Sequence, residues 1–230
     1  VLPVTSETYD EILGQAPEDR AWAAAHGFEG KPAQCLVLPG PGGGVERVLF
    51  GVPEDPTLWD WAALVPALPV SSPPAVFQIQ EMDPDQATRA ALGWALACYR
   101  FTRYKAAEQE LPRCAWPQGA DREAVTRQAE AVALARDMIN TPAEDMGPAE
   151  LAGTIEEVAG RHGASFTCIE GQDLLDQNYP CVHAVGRAAD RAPRLADLIW
   201  GAEDAPKITL VGKRSEERRV GKECRSRWSP

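Results

Sequence analysis

A lysine that follows a short apolar segment is the residue with the clearest chemical potential in this chain. Residues 208–211 are apolar except for Thr209, and this pattern predicts a buried strand that leads to Lys213. A lysine at such a position is most often a surface residue whose charged end reaches solvent. It becomes a metal ligand only when deprotonated, which burial and adjacent cations favour. The residues alone therefore favour the surface role.

Other arrangements that could do chemistry are weaker. The histidines, His26, His162 and His183, lie far apart and have no H-E-x-x-H spacing. We expect His162 to end a helix and His183 to be packed rather than to bind a metal. No G-x-S-x-G elbow is present for a Ser-His-Asp site. The glycine-rich residues 40–44 precede a predicted strand, whereas a phosphate-binding loop follows one.

The charge of the chain argues against nucleic acid as a partner. The net charge is −11, and residues 214–230 hold six Lys/Arg and three Asp/Glu, so the first 213 residues carry −14. Such an acidic body repels a phosphate backbone, and it contains no basic stripe interleaved with aromatic residues. We interpret the mostly polar residues 214–230 as a fusion or assembly scar. The alternative is a natural basic tail that binds an acidic partner.

The cysteines and the ends of the chain indicate a cytoplasmic protein. No C-x-x-C pair occurs, so buried free thiols in a reducing compartment are expected rather than a zinc ribbon or a disulfide framework. No apolar run is long enough to cross a membrane, and no secretory signal opens the chain. The first residue is Val1, so we expect the N-terminus to be incomplete or processed.

The first half of the sequence predicts alternating strands and helices. Turn residues separate two apolar segments over residues 34–52, which is typical of a hairpin. Asp83 and Pro84 predict the start of a helix whose apolar stripe continues through Tyr99 and towards Tyr104. The remaining predictions are a short helix at 59–64, a proline-rich connector at 66–74 and a strand at 75–80.

The second half continues the α/β pattern after a boundary at residues 111–119. Asp121 is expected to cap a long helix that ends before Pro142, and a further helix extends from Gly147-Pro148 to His162-Gly163. The other predicted elements are strands at 165–170, 195–200 and 208–211, a short helix at 172–177 and an apolar run at 181–185.

Four linked segments of this half carry a family resemblance. Asn140-Thr141-Pro142-Ala143-Glu144-Asp145-Met146-Gly147-Pro148 is followed by Ala184-Val185-Gly186-Arg187-Ala188, by residues 193–201 and by residues 208–213. In order and spacing these segments resemble the leucyl aminopeptidase (cytosol aminopeptidase) family, as do Tyr99-Arg100-Phe101 and Tyr104-Lys105. Glu144 departs from the family, in which asparagine is common. We expect this change to be tolerated, because the position lies in a helix connector.

The resemblance implies an α/β architecture with two domains and a linker between them. These are a macro-like N-terminal domain at 1–113, a linker and connecting helix at 114–140, and the beginning of an α/β/α catalytic domain at 141–213. Family members are typically homo-hexamers that use two divalent metals, zinc or manganese, to remove N-terminal residues from peptides. The metals lower the pKa of a bridging water and polarise the scissile carbonyl. The free α-amino group of the substrate binds one metal, which explains the exopeptidase specificity.

Lys213 matches the first metal ligand of the family, and the residues after it depart from the pattern. The family has glycine next and an aspartate ligand five residues after the lysine, where this chain has Arg214 and Arg218. A guanidinium cannot bind a metal cation. The remaining ligands and the catalytic lysine and arginine of the family would lie beyond the last residue. We therefore expect a truncated chain that binds no metal and is inactive, with a non-catalytic ligand-binding or assembly module as the alternative.

The resemblance also gives the segment at 208–211 a position in the fold. It should be a central strand of the catalytic sheet. A chain that ends shortly after it would leave a sheet edge and an apolar face uncovered.

Overall fold

The computed structural model describes residues 1–40, 42–71 and 74–212. It divides into two compact units, Val1–Asp137 and Met138–Pro230. Both units combine helices with β-sheet, which confirms the α/β prediction. No helix in the described part of the chain has the length and hydropathy that crossing a bilayer requires.

The first sheet is built around the predicted hairpin. Strands β1 (Leu2–Val4), β2 (Cys35–Pro39) and β3 (Val45–Gly51) lie in the order β1-β3-β2, with β1 parallel and β2 antiparallel to β3. The glycine-rich turn closes through a 2.8 Å hydrogen bond from the Gly40 N–H to the carbonyl oxygen of Gly44. It therefore joins two strands and does not form a phosphate-binding loop. Helices α1 (Tyr9–Gly14) and α2 (Pro17–Ala25) precede β2.

The second layer of this unit is helical. Helices α3 (Leu58–Ala62), α4 (Leu64–Ala67) and α5 (Pro84–Ala97) are accompanied by the short parallel strands β4 (Val76–Phe77) and β5 (Arg113–Cys114). As predicted, Asp83 caps α5 and accepts hydrogen bonds from two backbone N–H groups of its first turn. The helix ends earlier than its apolar stripe predicts. At its end, the Arg100 guanidinium donates hydrogen bonds to the carbonyl oxygens of Ala97, the last residue of α5, and of Tyr99, which lies beyond it.

Three clusters of buried side chains form the core of the first unit. One includes Phe50 and Leu64 between β3 and the helices, the second surrounds Leu49 and Leu13, and the third joins α5 to Val125. The approach of α5 to α3 is close. A Cβ built on Gly93 would lie 2.3 Å from the carbonyl oxygen of Leu58, so only glycine fits there.

Helix α6 (Arg122–Asn140) is the long helix that the sequence predicts. Asp121 caps it, because its Oδ1 accepts a 2.9 Å hydrogen bond from the Ala124 N–H. A 3₁₀ turn (Ala143–Asp145) follows Pro142, and α7 (Pro148–His162) begins with proline in its first turn. Gly163 ends α7 in the left-handed conformation, with φ of 65°, as its cap position predicts.

The second unit contains one described sheet. Strands β6 (Ser165–Glu170) and β7 (Arg194–Ile199) pair antiparallel, and α8 (Asp173–Asp176) and α9 (Pro180–Gly186) lie between them in sequence. The apolar run at 181–185 is thus helical. Pro180 at the first helical position explains this, because its fixed φ suits a helix start.

The predicted strand at 208–211 is wrong for this structure. Ile208, Leu210 and Val211 are 87%, 91% and 92% exposed, and no described strand pairs with them. A strand needs a neighbour for its backbone hydrogen bonds, and the only described sheet here is the β6–β7 pair. Lys213 and residues 214–230 lie outside the described residues, so the ligand role of Lys213 stays a prediction.

Candidate functional site

The described residues do not form a metal centre. Among residues 1–40, 42–71 and 74–212, no three His, Cys, Asp or Glu side chains come close enough together to hold an ion. The histidines are separated along the fold: His26 follows α2 and contacts Trp22, His162 is the last residue of α7, and His183 lies in α9. The described residues by themselves do not fit the two-metal centre that the resemblance implies. We therefore derive no catalytic step through a metal.

Residues 140–148, one of the segments that carry the family resemblance, contact Arg191. Its guanidinium donates to the carbonyl oxygens of Ala143 at 3.3 Å and Glu144 at 2.5 Å. It also lies 3.5 Å from the carboxylate of Glu144 and 3.7 Å from that of Glu150. Arg191 thus ties the loop before β7 to the connector between α6 and α7. We name this set of contacts the Arg191 latch. No pattern in the sequence predicted these contacts.

Two motif glycines are required by this packing. A Cβ on Gly147 would lie 2.6 Å from Nη1 of Arg191, and a Cβ on Gly186 would lie 2.3 Å from the Cβ of Pro193. Real Cβ contacts are never that short, so neither position accepts a larger residue without movement of its neighbour. Glycine is needed at both positions because a Cβ would clash with a neighbouring side chain, and not because the backbone has a positive φ. The side chain of Glu144 is 90% exposed, which agrees with the expected tolerance of that departure.

Glu150 is held in its ionised form at the start of α7. Its own backbone N–H, the Gly147 N–H at 2.9 Å, and the charges of Arg191 and Arg194 hold the pKa of its carboxyl below the ordinary value. The arrangement resembles a capping box, because the carboxylate reaches back to the N-cap backbone. Its role is to fix the connector that the Arg191 latch also contacts.

The end of β7 is fixed by a second contact within the same unit. The indole N–H of Trp200 donates a 3.0 Å hydrogen bond to the carbonyl oxygen of His162, at the C-terminus of α7. An ion pair of 2.8 Å joins Arg194 and Glu170 across the first rung of the β6–β7 pair. The backbone that leads towards Lys213 therefore leaves β7 from a fixed position.

In the first unit, the motif residue Tyr99 has a structural role. Its hydroxyl contacts Oδ1 of Asp137 at 2.7 Å, and the Arg136 guanidinium lies 5.3 Å from the centre of its ring. Arg136 also donates a 2.8 Å hydrogen bond to the carbonyl oxygen of Leu96. The motif residues at the end of α5 thus hold α6 against it.

A shallow groove in the first unit has a volume of about 400 Å³ and is lined by Arg100, Glu108, Glu110, Leu111 and Arg113 among others. Its charged side chains are exposed, and Glu108 forms an ion pair with Lys105. Exposed and mutually paired charges do not make a specific ligand site.

The thiols of the first unit are not activated. Burial raises the pKa of Cys35 and of Cys114 to about 11, and burial likewise raises the pKa of Cys98. All three are therefore protonated at neutral pH. The five described cysteines are free, as predicted, but Cys181 is exposed and the others are only half-buried.

The order of these elements matches one family in both units. Residues 3–117 match the family described as M17 aminopeptidase, N-terminal domain. Residues 133–214 match the Cytosol aminopeptidase family, catalytic domain. The chain belongs to the cytosol aminopeptidase family. The resemblance seen in residues 140–148, 184–188, 193–201 and 208–213 is thereby confirmed.

Individual relatives agree with this assignment. Probable cytosol aminopeptidases of Rhodococcus opacus and Rhodococcus jostii are each 33% identical over 141 residues, which cover 54% of this chain and 28% of the relative. The crystal structure of cytosol aminopeptidase from Coxiella burnetii matches with a TM-score of 0.79 and 36% identity, over 89% of this chain and 45% of that chain.

More distant structures share the fold. The bottromycin maturation enzyme BotP in complex with Mn matches with a TM-score of 0.64 and 27% identity, over 80% of this chain and 43% of that chain. Tomato leucine aminopeptidase matches at 18% identity and a TM-score of 0.67, which shows the fold alone. The chain spans less than half the length of each of the relatives and solved structures named here.

Proposed function

We propose that this chain is part of a metal-dependent exopeptidase that removes N-terminal residues from peptides with a free α-amino group. The observation that carries the proposal is the match of residues 133–214 to the catalytic domain of the cytosol aminopeptidase family. The order of α7, β6 and β7 and the Arg191 latch supply a framework for that segment.

The proposed cofactors are two divalent metals, zinc or manganese, with Lys213 as one ligand. The relative BotP in complex with Mn supports manganese. Bound metals would supply a water of lowered pKa and polarise the peptide carbonyl. In this chain Lys213 would bind one of these metals, with its side-chain amine in the neutral form.

The chain of 230 residues is proposed to be inactive by itself. The described residues contain no cluster of ligands, and the positions after Lys213 hold Arg214 and Arg218. We also propose that the protein is cytoplasmic, that the whole protein assembles into a homo-hexamer, and that its N-terminal domain is macro-like. The names of the relatives, cytosol aminopeptidases, support the location.

The proposal is tested with a chimera. Residues 1–213 are joined to the part of the Coxiella burnetii enzyme that follows its aligned region, and hydrolysis of leucyl p-nitroanilide is measured with added manganese or zinc. We expect turnover that a chelator abolishes. Lys213→Ala should lower kcat/KM about 100-fold or more, because a lost metal ligand removes several kcal/mol of transition-state stabilisation. The matched control is Lys207→Ala, which removes an exposed lysine six residues earlier and should leave kcat/KM unchanged.

The same assay on the chain of 230 residues should show no hydrolysis. Chelator-sensitive turnover by the purified chain would contradict the proposed inactivity. A well-folded chimera that binds manganese but does not hydrolyse the substrate would contradict the exopeptidase proposal and favour the non-catalytic module.

A further inference from the structure

The outer edge of β2 is an end of the first sheet. Among the described strands, β2 is the last in the order β1-β3-β2, so only one of its sides pairs with another strand. An unpaired strand edge presents backbone N–H and C=O groups to which another extended chain can add. The first unit can remain unassociated at this edge only if the edge is protected.

The register of the hairpin shows which backbone groups of β2 point outward. Hydrogen-bonded and non-hydrogen-bonded pairs alternate along an antiparallel ladder. The Gly51 N–H donates a 2.8 Å hydrogen bond to the carbonyl oxygen of Gln34, so the next hydrogen-bonded residue of β2 is Leu36. The N–H and C=O groups of Cys35 and Val37 consequently point away from β3.

The residues of β2 supply little protection themselves. Natural edge strands carry charged side chains or proline, or they are covered by another element. The five residues of β2, Cys35-Leu36-Val37-Leu38-Pro39, include no charge. Pro39 has no N–H, but it removes a donor only at the last position of the strand. Protection of the outward groups therefore requires a contact from outside the strand.

Helix α2 provides such a contact. The indole N–H of Trp22 donates a 3.2 Å hydrogen bond to the carbonyl oxygen of Val37, which is one of the outward groups. An added strand would place its own N–H at this oxygen, so the indole and the strand compete for the same position. The indole nitrogen is a donor only, and it offers no acceptor for a further strand.

The indole of Trp22 is itself held in place. The centre of the His26 ring lies 4.2 Å from that of the Trp22 ring, and Nδ1 of His26 lies 2.8 Å from the Trp22 carbonyl oxygen. Trp22 is nevertheless 40% exposed, so its side chain does not serve to fill the core. These contacts favour a role for Trp22 at the edge that it covers.

We propose that Trp22 is an autoinhibitory contact that blocks strand addition at the edge of β2, and that the strand it excludes is β2 of a second copy of this chain. Two β2 strands are self-complementary, because antiparallel pairing about a twofold axis brings together the outward groups of Cys35 and Val37 from both copies. The uncharged sequence of β2 places no like charges opposite each other. The inference concerns the first unit and does not depend on the proposed exopeptidase activity.

The experiment compares Trp22→Ala with Trp59→Ala in the full chain of 230 residues. Trp59 is the matched control, because it is an exposed tryptophan on another helix of the first unit, α3. Sedimentation velocity over a concentration series should give Trp22→Ala a dissociation constant for self-association about tenfold or more below that of the wild type. Trp59→Ala should match the wild type. The second unit is identical in all three chains, so its exposed residues do not affect the comparison.

Amide hydrogen exchange at single-residue resolution identifies the surface that associates. In Trp22→Ala, the outward amides of Cys35 and Val37 should exchange about tenfold more slowly at high protein concentration than at low concentration, because strand pairing engages them. The amide of Leu36 is already bonded to β3 and should change little. Association through partial unfolding would instead make the Leu36 amide exchange faster.

Trp22→Phe is the second variant, in case Trp22→Ala does not fold, which circular dichroism and the melting temperature check. It keeps an aromatic ring and loses the N–H donor, so it should also associate more strongly than the wild type. Self-association of the folded variants that equals that of Trp59→Ala would overturn the inference. Stronger association without slower exchange at Cys35 and Val37 would overturn it as well. Activity or inactivity of the chimera has no bearing on either result.

Discussion

The two units of the chain differ in how they bury their apolar residues. The first unit contains all three described clusters of buried side chains, with large residues such as Phe50 and Leu64 at their centres. Among its described residues, up to residue 212, the second unit buries the side chains of Met146, Leu174 and two alanines, together with Thr141. Its larger apolar residues at the end of β7 and beyond are exposed.

This difference shows that apolar content alone does not make a core. Burial contributes roughly 25 cal/mol per Å² of apolar surface removed from water, and an alanine side chain has little surface to remove. The second unit therefore gains less from folding, although its helices have good caps and its strands pair in register. Local signals form its elements, while the apolar side chains at the end of β7 stay exposed among the described residues.

The largest effect should appear in amide hydrogen exchange. We expect the amides of β3 and α5 to exchange about 1,000-fold more slowly than those of β6 and β7, which corresponds to about 4 kcal/mol in opening free energy. Exchange is followed peptide by peptide with mass spectrometry. Equal protection in the two units would show that the second unit is stable without further burial, and it would remove the contrast between them.

A substitution in the helical layer of the first unit should give the next largest effect. Gly93→Ala places a methyl group 2.3 Å from the Leu58 carbonyl oxygen, so α5 and α3 must separate. We expect the free energy of unfolding of the first unit to fall by about 3 kcal/mol, measured by urea denaturation.

The matched substitution in the second unit should have the opposite sign. Gly160 lies within α7, and a Cβ there would meet no atom within 4 Å. Gly160→Ala should therefore stabilise α7 by about 0.5–1 kcal/mol, because alanine loses less backbone freedom in a helix. Destabilisation by Gly160→Ala, or tolerance of Gly93→Ala, would contradict the packing described for that unit.

The sequence predicted local elements well and long-range burial poorly. The hairpin, the caps at Asp83 and Asp121 and the end of α7 at Gly163 were predicted, because each depends on residues close in sequence. The strand at 208–211 was not found, because a strand exists only where a neighbour accepts its backbone hydrogen bonds. Periodicity cannot show whether that neighbour is present.

The candidate site shows the same limit. The family resemblance marked Gly147 and Gly186. Glycine is needed at these positions because a larger side chain would clash with Arg191 and Pro193 respectively. Arg191 is more than 40 residues from Gly147 in sequence, so that contact exists only once the connector has folded. Lys213 was marked by the resemblance alone. The Arg191 latch could not be predicted, because a single arginine in a polar loop has no distinguishing pattern.

Loss of the Arg191 latch should have a moderate effect confined to the second unit. Arg191→Ala removes two hydrogen bonds to backbone carbonyls, and we expect the opening free energy of residues 143–150 to fall by about 1.5 kcal/mol in hydrogen exchange. Arg191→Lys should recover only part of this, because an ammonium lacks the planar fork that reaches two acceptors. Lys207→Ala is the control. An unchanged exchange rate in Arg191→Ala would show that the connector is held by other contacts.

The smallest effect should be a pH dependence in the first unit. Thr57 donates hydrogen bonds from its hydroxyl at 2.6 Å and its N–H at 2.8 Å to the Asp60 carboxylate, and these bonds lower the pKa of Asp60. A lowered pKa in the folded state stabilises the fold above the ordinary pKa of about 3.9, and the contribution disappears as pH falls through the folded value. Asp60→Asn should cost about 0.5 kcal/mol at pH 7, and the cost should shrink as pH falls through the folded pKa, by urea denaturation at successively lower pH. Glu157→Gln, which removes an exposed carboxylate of α7 in the second unit, is the control. A cost for Asp60→Asn that stays constant down to pH 2 would mean that the bonds to Thr57 do not depend on the carboxylate charge.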